Sequence, residues 1–546
     1  MHKNWVRRGG ALLTAGVLVT ALAACSGGDD PGASSTEFTE PAVAEVTAGQ
    51  LFGYLNEGVY TFRGVKYAEV DRFERAKPVE PWDGVKPALT YGPTCQNGAN
   101  DNIPLTEFIN FTGANLAQNE DCLYANIWTP TLDEDAKKPI LFWIHGGGYA
   151  SGSSNELSFY EGHNLAATGE AVFISVNHRL NALGYLDLSD FGDQYADSGN
   201  LGQLDLVDAL NWVRDNAAAF GGDPDNITII GQSGGGGKVL TLLGMPEATP
   251  HISKAYAMSA ATMWRTAEQA KAQTSDVMEA LGVSTVEELK EVPYLELFNT
   301  AAAAGIGWGP VIGTPAFPEA TYTEDGGFTA LAKDIPLVQT TVQGEFASNL
   351  GAMSYGIFGE VSDPTADAYA PNLTDEDVER LLKQRFGEQA DAVRSGFVLS
   401  YPEQPVAHAL WIEDGVFFGG TRVQVLNLKA QQGGAEVFGA VFAKTLPVFG
   451  GVTPPHTGGD IPFLFRNADK MTHIVAGSED EFQKYAEEAS DTLLAFAKTG
   501  NPSTDTIKWP VFSQEKAEML VFDTKSYVSE QHEVELYKAF AAARGQ

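Results

Sequence analysis

Residues 220–235 read FGGDPDNITIIGQSGG. Ile227, Ile229 and Ile230 make an apolar run of strand length, and Ser233 follows it directly, between Gly231 and Gly235. A serine hydroxyl is a weak nucleophile until the backbone presents it and a base takes its proton. A buried strand that turns sharply into a helix does the presenting, and so tight a turn admits only small flanking residues. The bare pattern Gly-x-Ser-x-Gly is weak, because with 58 glycines in 546 residues it arises from composition roughly one time in four. Its meaning depends on what stands at the ends of the other apolar runs.

Such runs, bounded by turn residues, recur at 140–144, 171–176, 255–258, 337–342 and 437–442, and they read as buried strands. Helical patterns lie between several of them. Over 201–220, Leu204, Val207, Leu210 and Val213 recur at three-residue spacing, with Gly202, Gly221 and Gly222 as punctuation; a second pattern spans 480–499 and ends at Gly500 and Pro502. Strands alternating with helices predict an α/β fold, a large and mostly parallel sheet covered on both faces. The less regular stretches at 98–118, 264–305 and 355–430 are candidates for cap-like insertions over the site.

The chain carries 71 acidic and 35 basic side chains, a net charge of −36. Such a surface disfavours nucleic acid, whose phosphates need Lys and Arg, and is silent on the chemistry. At the N-terminus, Lys3, Arg7 and Arg8 precede an apolar stretch over 11–23, too short to span a bilayer, so 1–24 reads as a signal peptide. Its ending, Leu22-Ala23-Ala24-Cys25, resembles a bacterial lipobox, in which the Cys is lipidated and becomes the mature N-terminus; an ordinary secretory signal with an incidental Cys is the alternative. The expected protein is exported and lipid-anchored at the cell envelope through Cys25. Residues 25–41 are small, polar and acidic and read as a flexible tether, leaving 42–546 as one domain without a second linker or internal repeat. Cys95 and Cys122 then remain as an even pair in an oxidising compartment, where a disulfide would close a loop of 26 intervening residues; two free thiols are the alternative.

A serine hydrolase also needs a base, an acid to orient it and donors for the oxyanion. Directly after the run at 140–144 stands His145-Gly146-Gly147-Gly148, whose glycines let backbone N–H groups converge on one point. With this stretch, the segment 220–235, the run Glu120-Asp121-Cys122-Leu123-Tyr124-Ala125-Asn126-Ile127-Trp128-Thr129-Pro130, and Phe62-Arg63-Gly64-Val65-Lys66-Tyr67-Ala68, the chain resembles the type-B carboxylesterases. That α/β-hydrolase family includes bacterial p-nitrobenzyl esterases, mammalian carboxylesterases and cholinesterases. The matches run from about 60 to 540 in the family's order, with Ala125 standing where a larger aliphatic is usual.

The resemblance implies Ser233 as nucleophile and the N–H groups of Gly147, Gly148 and Gly234 as the oxyanion hole. It implies Glu345, in Thr341-Val342-Gln343-Gly344-Glu345, as a buried acid, although its neighbours depart from the family pattern. It implies His456, in Pro454-Pro455-His456-Thr457-Gly458-Gly459-Asp460, as the base, with one residue more than usual before the acidic position. Ser259 matches a serine that supports the acid, and the pair Cys95–Cys122 matches the family's first disulfide. Among nine histidines the only rival base is His408, in the apolar setting of a core side chain. Gln232 stands where many relatives carry Glu, which lowers the expectation of cationic substrates.

The expected activity is serine carboxylic-ester hydrolysis through a Ser-Glu-His triad and an acyl-enzyme, on small to medium uncharged esters, without cofactor or metal and with a monomer favoured. Amide, carbamate or lactone hydrolysis on the same triad is the alternative, and a non-catalytic binding module of the same fold is a second. Trp308 and Ile306 are candidates for an acyl-pocket border, or for plain core.

Overall fold

Residues 40–97, 117–345, 374–447 and 454–545 are described by a computed structural model. An antiparallel meander opens the main sheet: β1 (Glu40–Val46), β2 (Gly49–Asn56) and β3 (Val59–Lys66), continued by β4 (Tyr124–Thr129). Seven strands then run parallel: β5 (Lys138–Ile144), β6 (Val172–Val176), β7 (Gly222–Gln232), β8 (Lys254–Met258), β9 (Leu337–Val342), β10 (Val437–Phe442) and β11 (Met519–Phe522). An antiparallel β12 (Tyr527–Ser529) closes the far edge, and a short strand, Val85–Pro87, pairs with β2. The spatial order is β1-β2-β3-β4-β6-β5-β7-β8-β9-β10-β11-β12, so the chain doubles back around β5 before progressing across the sheet. Every run expected to be a strand is one, and β1 already pairs at Glu40 and Pro41 with Leu55 and Tyr54.

The central strands are buried along nearly their whole length and mostly apolar because both of their faces are covered, with Ser175, Thr228 and Gln339 among the buried polar exceptions. Alternate side chains enter different cores. Ile140, Phe142, Ile144, Ile227 and Ile229 join one core with Leu204, Val207, Leu210 and Val213 of α1 (Leu201–Asn216) and Val239 and Leu240 of α2 (Gly234–Leu242). Leu141, Trp143, Phe173 and Ile230 join the other, roofed by Phe482, Tyr485, Ala489, Leu493 and Phe496 of a helix over Glu479–Thr499. Truncating one such buried leucine, Leu210→Ala, costs about 2–5 kcal/mol.

The insertion at 264–305 folds as α3 (Ala267–Leu281), α4 (Val286–Glu291) and α5 (Tyr294–Ala303). Capping boxes start the first two, Thr266 with Gln269 and Thr285 with Glu288, satisfying N–H groups that have no intrahelical partner. Val277, Leu289, Leu297 and Ala301 pack on Tyr149, Leu183 and Tyr185, beside the loop that follows β5. Trp308 is buried in this cluster with Ile306 against it, which gives both residues a packing role. Further on, α6 (Asp375–Phe386), α7 (Ala390–Ser400) and α8 (Val416–Gln432) bring α6 and α7 against Val441 and Val521 at the far side of the sheet. Most of 98–118 and the start of 355–430 lie outside the described residues, as do Cys25 and the leader. Cys95 and Cys122 form a disulfide with Cα atoms 4.8 Å apart.

Candidate active site

Ser233 joins the end of β7 to the start of α2 with φ 56° and ψ −121°. A non-glycine residue occupies that region only when its surroundings hold it there. They do: the Ser233 N–H donates to Met258 O at 2.8 Å, and its carbonyl accepts from Gly237 N–H at 3.0 Å and Ala261 N–H at 3.2 Å. A Cβ on Gly231 would overlap the Gly235 carbonyl, and one on Gly235 would overlap that of Ile144, so larger residues would force the turn open. The flanks of the turn are buried, whereas Ser233 itself is partly exposed.

The glycine loop after β5 faces this turn. Gly147 and Gly148 have φ of 84° and 65°. The loop carbonyls are all held: Gly146 O lies 3.0 Å from His145 Nδ1, Gly147 O accepts from Ser151 N–H at 3.1 Å and Ser151 Oγ at 3.2 Å, and Gly148 O accepts from Lys238 Nζ at 2.8 Å. By contrast, the N–H groups of Gly147, Gly148 and Gly234 donate to no acceptor among the described residues. The His145 ring stacks on His178 with centroids 4.7 Å apart. Burial, reinforced by the Lys238 charge, pushes His145 down to about 3, so it packs as a neutral ring.

Glu345 follows β9 and is 2% exposed; its Oε1 accepts from Val342 N–H at 3.1 Å. His456 is 1% exposed on the loop after β10. Two backbone bonds lace the acid and base loops together: Gly344 N–H to Pro455 O at 2.9 Å, and Thr457 N–H to Glu345 O at 3.0 Å. A third tie reaches the serine turn, where Gln232 Nε2 donates to Thr457 Oγ1 at 2.7 Å. Ser233 and Glu345 therefore stand just past the ends of β7 and β9, and His456 stands in a segment bonded to the loops of both. Their side chains are not joined into a hydrogen-bonded chain: both His456 ring nitrogens, Glu345 Oε2 and Ser259 Oγ lack partners among the described residues.

The acid–base properties follow from that isolation. Burial pushes the Glu345 carboxyl up to about 8 and pushes His456 down to about 4. Pairing the two would reverse both shifts, since an opposite charge favours each ionised form. Asp460, likewise buried, is pushed up to about 7 and adds to the shift at Glu345. Ser259 directly follows β8 at φ 44°, fully buried, with its N–H donating to Thr340 O at 2.8 Å. The rival His408 is fully buried with its Nδ1 3.2 Å from Gln343 Oε1 and its ring edge-on to Phe397, a core side chain. Among the described residues no three His, Cys, Asp or Glu side chains are grouped to hold a metal.

Sequence reading missed Lys238 and the Gln232–Thr457 tie. The lysine had a signal, a lone cation in the otherwise glycine and apolar segment 234–240. The tie had none, because its partners are 225 positions apart.

Comparison with known proteins agrees with this architecture. The Carboxylesterase family model matches residues 40–539. The para-nitrobenzyl esterase of Bacillus subtilis (strain 168) is 30% identical over 520 residues, covering 91% of this chain and 98% of that protein. The phenmedipham hydrolase of Pseudarthrobacter oxydans is 31% identical over 496 residues, covering 88% and 94%. Among solved structures, a Clostridium hathewayi esterase, described as able to hydrolyze aliphatic aromatic polyesters, superposes with a TM-score of 0.82 at 34% identity, covering 93% of this chain and 99% of that one. With an α/β-hydrolase sheet, a serine on its central turn and relatives matched along nearly their whole length, the chain belongs to the carboxylesterase family and is a carboxylic ester hydrolase.

Proposed function

We propose that ester hydrolysis here runs through Ser233, His456 and Glu345 by an acyl-enzyme route. The observation that carries the reading is the partly exposed Ser233, held in a strained turn beside three N–H groups that donate to no acceptor among the described residues. One His456 ring nitrogen takes the Ser233 proton while the other donates to Glu345. Both His456 ring nitrogens and Glu345 Oε2 are without competing partners among the described residues, while Oε1 keeps the Val342 N–H. Ser233 Oγ attacks the ester carbonyl, and the oxyanion lies among the N–H groups of Gly147, Gly148 and Gly234. His456 then protonates the departing alcohol, water attacks the acyl-serine with its proton passing to His456, and release of the acid regenerates the hydroxyl.

Small to medium uncharged esters suit a turn that carries neutral Gln232, bonded to Thr457. The names of the para-nitrobenzyl esterase and phenmedipham hydrolase relatives favour no charged substrate. Incubation with a fluorophosphonate probe tests the reading: Ser233 is labelled in the wild-type protein, and Ser233→Ala abolishes both labelling and p-nitrophenyl acetate turnover. Full turnover by Ser233→Ala would sink it.

Export and anchoring complete the proposal, with 1–24 as leader, Cys25 lipidated and 25–41 as tether to a catalytic domain over 42–546. They rest on the charged and apolar pattern of the leader alone. Cys25→Ser is expected to move the protein from the membrane fraction to the soluble one; unchanged membrane association would exclude this anchor.

A further inference from the structure

Lys238 is a cation that the ester chemistry above does not use. It lies on α2 with 0% exposure, in a setting where an ionised amine is costly unless its N–H groups are bonded. Its partners are carbonyl oxygens of the glycine loop: Gly148 O at 2.8 Å and, more distantly, His145 O at 3.5 Å. The face of Tyr149 covers it, with the ring centroid 5.1 Å away. Burial pushes the amine down to about 7, opposed by the charge of Glu156.

The two carbonyls bracket the two peptide units that carry the Gly147 and Gly148 N–H groups. A peptide unit is planar, with its C=O and N–H pointing in opposite directions. Holding Gly146 O on His145 and Gly147 O on Ser151 therefore turns the next N–H outward in each case. Lys238 fixes the ends of this segment. The helix that bears the lysine also makes the room for it: Gly148 O approaches Gly234 so closely that a Cβ there would overlap it, and Gly234 lies one helical turn before Lys238. Glycine admits the loop onto the serine turn, and the lysine grips it from the same helix face.

We infer that Lys238 is a positioning residue for the oxyanion loop, holding the Gly148 and His145 carbonyls so that the Gly147 and Gly148 N–H groups meet the charge developing on the ester carbonyl. This rests on the serine-esterase reading above. The test is Lys238→Met, which keeps side-chain length and removes the donors, and Lys238→Gln, which restores a neutral one. Both are assayed for kcat and KM on p-nitrophenyl acetate and for inhibition by an aryl trifluoromethyl ketone, whose serine adduct needs the same donors. Lys238→Met is expected to lower kcat by about 10²-fold with KM nearly unchanged, to weaken the ketone by a similar factor, and to be partly rescued in Lys238→Gln. A folded Lys238→Met with wild-type kcat, or a loss confined to KM, overturns the inference. If Lys238→Met does not fold, Lys238→Gln decides by the same readouts. Failure of both to fold assigns the amine to holding the fold and also overturns it. An inactive wild-type protein, or an active Ser233→Ala, would instead defeat the esterase mechanism and is scored separately.

Discussion

Gln232 Nε2 donates to Thr457 Oγ1 at 2.7 Å, which binds the residue before the serine to the residue after the histidine. The bond ties the serine turn after β7 to the histidine segment at the height of the proposed chemistry, where a misplacement on the order of 1 Å costs about 10²-fold in rate. Gln232→Leu and Thr457→Val are each expected to lower kcat several-fold with KM little changed. In a double-mutant cycle on urea unfolding the pair should couple by about 1 kcal/mol. Strict additivity would show that the bond carries nothing.

Gly234→Ala puts a methyl group into the Gly148 carbonyl. The loop must lift, and the N–H groups of Gly147 and Gly148 go with it. Steady-state kinetics should show kcat down by about 10²-fold, with a lowered thermal midpoint. An unchanged kcat would mean that the loop has slack at this point.

Glu345→Gln separates stability from activity, with a definite sign. With the side chain unpaired from His456, burial pushes the folded carboxyl up to about 8, above its ordinary value of 4.5, so between those values the native state holds a proton that the unfolded state has lost. Stability from this group is full below about 4.5 and is lost as pH rises through 8. The amide cannot ionise and keeps it. Urea unfolding should show variant and wild type matched near pH 4.5, with the variant ahead by roughly 2–4 kcal/mol above pH 8. Its kcat should fall by about 10³- to 10⁴-fold. A stability difference independent of pH would contradict this account.

Replacing Cys95 and Cys122 together by serine removes a cross-link between residues 27 apart in sequence. The larger entropy of the opened unfolded chain is expected to lower unfolding free energy by about 3 kcal/mol, visible in the urea midpoint with and without reductant. Turnover of short esters at moderate temperature should survive, because neither cysteine belongs to the serine, acid or base loops.

The strands of this sheet could be read directly from the chain because doubly covered strands are nearly continuous apolar runs, as Ile140–Ile144 and, but for Ser175, Val172–Val176 are. Ser233 was legible for the same reason, standing at the end of such a strand with glycines about it. Glu345 and His456 needed the family pattern, since one carboxylate or imidazole after a strand carries no local signature. Part of the antiparallel meander before β5 escaped reading: β1 alternates in burial but buries mostly small side chains such as Ala42 and Ala44, and burial along Gly49–Asn56 is mixed. The Lys238 grip was beyond reach, because the partners of a buried amine are set by tertiary approach and its carbonyls belong to no particular residue type.

Helix α2 begins with four glycines in succession, Gly234–Gly237, and is only nine residues long. Each glycine disfavours helix by about 1 kcal/mol relative to alanine, and a helix this short is marginal alone in water. It forms because Val239, Leu240 and Leu242 have a finished sheet to pack on. The reactive turn is thus an assembly that local sequence cannot pre-build, and it takes its shape from the sheet it packs on. Ester turnover is therefore expected to need the packed sheet and not merely helix content, so activity and tertiary packing should be lost together on unfolding.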